Sequence, residues 1–106
     1  MSLLNLIKSF FVKKKTEFDG SMMVERDGRG NVIKRTFLSG FVVKHHYDLL
    51  NREIAMVTSN GYREGKEYYG VSHKVKKVSC RRGKRAWVEH FSNEGKKEVE
   101  YLDPEV

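Results

Sequence analysis

The chain has 106 residues, enough for one hydrophobic core and too few for two. Its 39% apolar and 33% charged residues, with six Phe, five Tyr and one Trp, exclude a disordered tail. A formal net charge of +7 directs attention to polyanions and acidic surfaces as partners.

Ser2 can cap an amphipathic helix over residues 1–15, with Leu3, Leu4, Leu6, Ile7, Phe10 and Phe11 at helical spacing and Lys13, Lys14 and Lys15 at its negative end. "TEFDG" reads as a connection. From Ser21 the pattern changes to strands and turns. "SMMVER" and "NVIKRTFL" flank Asp27-Gly28-Arg29-Gly30, a hairpin signal. "FVVKHH" and "EIAMVT" pair next, joined by "YDLLNR". "SNGYREG" reads as a loop and "KEYYGV" as a short strand. "KVKKVSC", "RAWVEHF" and "KEVEYL" then form a three-stranded meander, with glycine in each turn. No internal repeat is evident.

These elements predict a single domain over residues 1–106, with the helix first and a β meander over residues 20–102. The expected fold class is α+β, mainly antiparallel β. It is a small curved sheet or an SH3-like or OB-like barrel of five to seven short strands, with one N-terminal α-helix.

Charge is unevenly spread. Residues 66–85 carry eight basic side chains against Glu67, a local excess of +7. Residues 1–15 carry +4 and residues 86–106 carry −4. The basic hairpin supplies Lys74, Lys76, Lys77, Arg81, Arg82, Lys84 and Arg85, preceded by Lys66. Clustered cations release counterions from phosphates, which makes nucleic acid the leading expected partner. Tyr68, Tyr69 or Trp87, if exposed, can stack on bases. Lys13, Lys14 and Lys15 form a second basic patch. The alternatives are an acidic protein surface, as for a small regulator, inhibitor or accessory subunit of phage or bacterial origin, and a plain solvated face. Edge-strand lysines serve a solvated face, and a lone Trp in a small β domain is usually core.

Within the hairpin, alternation puts Trp87, Glu89 and Phe91 on one face. Val75 and Val78 are three apart, so Lys76-Lys77 predicts a bulge. His45 and His46 point to opposite faces and lack metal-ligand spacing, so no metal is expected. No paired acids, activated nucleophile or phosphate-cradling glycine pattern is present, so neither catalysis nor a cofactor is expected. The single Cys80 excludes an internal disulfide and fits a reducing compartment. No run of about eighteen apolar residues exists, and the N-terminal charge order is wrong for a signal peptide, so the expected location is cytoplasmic. The N-terminal helix is expected to dock on the sheet, with a partner or oligomer interface or a membrane surface as its other uses.

The stretch "YREGKEYYGVSHKVKKV", Tyr62 to Val78, is faintly similar to the arginine-rich strand-turn of WYL-type domains. That similarity implies an SH3-like barrel that binds ligands or nucleic acid. The Trp-Tyr-Leu signature is absent, and no residue role is carried over.

Overall fold

The computed structural model describes residues 15–102. They form nine strands: β1 (Lys15–Asp19), β2 (Met22–Arg26), β3 (Val32–Phe37), β4 (Val42–Tyr47), β5 (Glu53–Thr58), β6 (Tyr62–Tyr68), β7 (Val75–Arg82), β8 (Arg85–Phe91) and β9 (Lys97–Leu102). Every strand pairs antiparallel with the next, in one sheet of order β1 to β9. The expected α+β class and the barrel of five to seven strands are therefore corrected to an all-β, nine-stranded open meander. The helix expected over residues 1–15 lies outside the described residues, except that Lys15 opens β1. Among the described residues no helix is long and apolar enough to cross a membrane.

Tight turns explain the sequential order of the strands. Each of the eight turns holds one residue of positive φ, from Gly20 through Gly30, Gly40, Asn51, Gly61, Gly70 and Gly83 to Gly95. A short turn can only place a strand beside its predecessor. Strands touch only their neighbours along the chain, so nothing returns β9 to β1 and the sheet stays open. "TEFD" and "YREG", expected as connection and loop, belong to β1 and β6.

Several turns share one chemistry. Asp27 Oδ1 accepts hydrogen bonds from the Arg29 and Asn31 amides, at 2.9 and 3.0 Å. Asp48 Oδ1 accepts from Leu50 and Arg52, also at 2.9 and 3.0 Å. Thr58 Oγ1 takes the Tyr62 amide and Ser92 Oγ the Lys96 amide. A short side-chain acceptor at the first turn position thus holds the residue four further on.

The turns after β2, β4, β6 and β8 lie along one margin and are tied to one another. Arg29 Nη2 donates to the Asp48 carbonyl at 2.7 Å, and Arg29 Nε to Asn51 Oδ1 at 2.7 Å. Arg52 Nη1 donates to the carbonyls of Gly70 and Ser72, both at 2.8 Å. Tyr69 Oη donates to the Phe91 carbonyl at 2.5 Å.

A single layer buries little. Val24, Val43, His45, Val78 and Cys80 are buried on one face, called here the first, and Val88 on the second. The radius of gyration, 16.5 Å, exceeds the roughly 13 Å of a compact chain this long. Sheet twist makes the smallest extent 29 Å, although the sheet is one layer thick.

Candidate functional site

The basic hairpin is β7–β8, closed by the two-residue turn Gly83-Lys84. The expected bulge is present: Glu67 faces Lys77 and Tyr68 faces Val75, which leaves Lys76 as the extra residue. Strand alternation divides the seven cations instead of gathering them. Lys77 and Arg81 lie on the second face, Arg82 and Arg85 on the first, and Lys84 at the tip. Lys74 and Lys76 sit at the far end of β7, about 23 Å from the tip at 3.3 Å per residue.

Several have internal roles. Lys76 lies over the Tyr69 ring, 5.9 Å from its centroid. Lys77 pairs with Glu67 at 3.6 Å. Lys74 Nζ reaches the Asn93 carbonyl at 3.5 Å. Lys66 is drawn inward, 3.0 Å from Glu53 and 3.8 Å from Glu64. Tyr68 donates to the Glu53 carbonyl at 2.6 Å and carries Arg52 over its ring. Tyr68 and Tyr69 are half-buried clamps. Lys13 and Lys14 lie outside the described residues.

The tip is different. Arg82 and Arg85 face each other in register, and both are exposed together with Lys84. Two like charges directly opposite repel, by roughly 0.2–1 kcal/mol. Beside them an in-register row runs across the first face: His45, Met56, Glu64, Cys80, Trp87, Tyr101. Trp87 is half-buried and packs 6.2 Å from Tyr62, over whose ring Arg82 lies at 5.3 Å. Tyr101 is 80% exposed. A groove of about 560 Å³ opens here between Arg85, Trp87, Val99 and Tyr101. Tyr62 and Tyr101 are missed by sequence reasoning, because only cross-strand register brings them to the hairpin.

The middle of the first face carries an internal polar chain. Arg35 Nε donates to His45 Nε2 at 3.1 Å, so that nitrogen is unprotonated and Nδ1 donates to Glu53 Oε2 at 2.7 Å. Lys66 Nζ completes Glu53, and Tyr62 Oη donates to Glu64 at 3.0 Å while lying 3.4 Å from Cys80 Sγ. Burial alone would raise the Glu53 carboxyl, but hydrogen bonds from Lys66 and His45 outweigh it and hold Glu53 below its ordinary value. Burial raises the Cys80 thiol, against the pull of its hydrogen bond to Tyr62. This chain satisfies its own members. Among the described residues no three His, Cys, Asp or Glu side chains gather where a metal ion could be held.

The second face carries another in-register row: Glu25, Lys34, Lys44, Val57, Arg63, Arg81, Ala86, Leu102. Beside it runs His46, Ala55, Gly65, Ser79, Val88, Glu100. The sequence hides Lys34, Lys44 and Arg63 because they come from three separate strands. Their signal is the spacing of the turns, which sets the register.

Compared with known proteins, the chain matches no family model and no curated sequence.

Proposed function

We propose that the protein is a non-enzymatic binding module that meets nucleic-acid phosphates with the tip of its β7–β8 hairpin. One observation carries this reading. Arg82 and Arg85 oppose each other in register, next to Lys84 and to the aromatic groups Tyr62, Trp87 and Tyr101. Like charges held together are relieved by an anion between them, and the exposed ring of Tyr101 beside them offers a stacking surface to an unpaired base. The favoured ligand is a single strand, because only unstacked bases present their faces to Tyr101. Binding is proposed to take place in the cytoplasm, where the single free thiol, Cys80, would stay reduced.

The test is fluorescence anisotropy of a labelled single-stranded oligonucleotide at several salt concentrations. Three engaged cations give a log–log slope near −2, at about −0.7 per single-strand phosphate contact. Arg82→Glu with Arg85→Glu abolishes binding, and Tyr101→Ala weakens it by roughly 1–3 kcal/mol. Binding unchanged in the double reversal would refute the proposal.

A further inference from the structure

We propose that the second face is a docking surface for an acidic, partly apolar segment of a partner protein. The inference is independent of the nucleic-acid reading, which uses the opposite face.

Two in-register cation pairs stand on this face. Lys34 opposes Lys44, and Arg63 opposes Arg81, with Val57 between the pairs in the same row. Four cations across five neighbouring strands span about 19 Å at 4.8 Å per strand. Glu25 pairs with Lys34, at 3.8 Å. Placing cations opposite one another costs stability within the chain and becomes favourable when carboxylates lie across them.

Beside the row lies an apolar groove of about 570 Å³, with Ala55, Val57, Gly65, Ala86 and Val88 in its lining. A second groove, of about 340 Å³, continues from Val57 to Lys34 and Lys44. No element of the described chain packs on this face, since strands touch only their neighbours. Gly65 is at its centre, between Ala55 and Ser79 in register. It is not one of the positive-φ glycines, and an added β-carbon would meet only the Ile54 carbonyl, at an ordinary 3.8 Å. Neither backbone conformation nor a contact within the described residues requires glycine here. Close approach by a ligand or another backbone is one of the uses of a mid-strand glycine.

The chemistry favours a protein segment over a nucleic acid. The two rows on this face contain no Phe, Tyr or Trp, and Trp87, which borders the groove, alternates to the first face. Bases find no stacking platform, whereas apolar side chains with flanking carboxylates satisfy both floor and cations.

The test uses the full chain, labelled with 15N, and two synthetic peptides. One combines leucines with glutamates, and its twin has lysine in place of every glutamate. The acidic peptide is expected to shift the amides of Lys44, Val57, Arg63, Gly65 and Ser79. Its affinity should fall at least about tenfold in Gly65→Val and in Lys44→Glu, and stay unchanged in Arg82→Glu. The proposal is overturned if the acidic peptide shifts none of these amides, if the lysine twin binds as well, or if Gly65→Val and Lys44→Glu both bind like the parent. It is equally overturned if an oligonucleotide, and not the peptide, loses affinity in those two variants.

Discussion

The Nδ1 proton of His45 is directed at Oε2 of Glu53, 2.7 Å away on the adjacent strand, while the other carboxylate oxygen takes Lys66 at 3.0 Å. One carboxylate therefore joins three strands. Its lowered pKa sets the sign of an acid effect. The stabilisation is fully present above the ordinary value of 4.5 and is lost as pH falls through the lower folded value. Urea unfolding at pH 7 and pH 3 checks this. Glu53→Gln is expected to lose about 2 kcal/mol at pH 7, the worth of hydrogen bonds to a charged group, and the gap to the parent should narrow as pH falls through the folded value. If the variant matches the parent at both pH values, the network adds nothing to stability.

Lys66 gives the opposite limb. Burial would lower its ammonium, but Glu53 and Glu64 outweigh that and raise it above 10.5. Its contribution is complete below 10.5 and disappears as pH rises through the folded value. Thermal melts in alkaline buffers should show a steeper decline for the parent than for Lys66→Met.

The margin ties predict an effect larger than a surface substitution normally has. Asp48 caps its own turn and also grips Arg52, 2.8 Å away, whose guanidinium holds the next turn. Asp48→Ala should lower the melting temperature by roughly 5 °C, whereas Glu94→Ala, in an exposed turn position, should leave it nearly unchanged.

Two glycines should respond in opposite directions. Gly61 has φ of 92°, and an added β-carbon meets nothing, so Gly61→Ala isolates the backbone cost of about 1 kcal/mol. Gly65→Ala in extended backbone should be neutral or stabilising by up to about 1 kcal/mol. Equal destabilisation in the two variants would contradict the conformational assignment of Gly65.

Cys80 offers a chemical test of the polar chain. Its thiol is buried and its pKa raised, so alkylation at pH 7.5 should be slow in the native protein and fast in denaturant. The Tyr62 phenol is raised as well, by burial first and then by its hydrogen bonds to Cys80 and Glu64. Its ultraviolet titration should lie above the ordinary tyrosine range.

Much of the strand content is legible in the sequence. The hairpin at Asp27–Gly30, the pairing of β4 with β5, the β7–β8–β9 meander and the Lys76 bulge follow from glycines and alternation. Closure into a barrel does not follow, because short turns fix neighbours and say nothing of whether the first and last strands meet. The strands at "TEFD" and "YREG" are obscured by charge, since a single-layer sheet accepts Glu17 and Arg63 without burying them and gives Glu64 partners in Tyr62 and Lys66. The turn chemistry shared by four of the turns is obscured for a related reason. Its constant features are the turn acceptors Asp27, Asp48, Thr58 and Ser92 and the positive-φ residue three positions later, while the strand residues vary. The seven clustered cations are visible as a run, but their division between two faces appears only once each residue of β7 and β8 is assigned a side.

Because every strand depends only on its two neighbours, the sheet has no keystone. Opening at β1 or β9 would remove one interface and leave the others intact, so amide exchange should be slowest near β5 and β6 and quicken toward both edges. The same locality keeps contacting residues close in sequence, which favours rapid folding for an all-β chain. It also makes the length of the sheet adjustable: a hairpin of about twenty residues could be added or removed between existing turns, changing how much surface is displayed without redesigning a core.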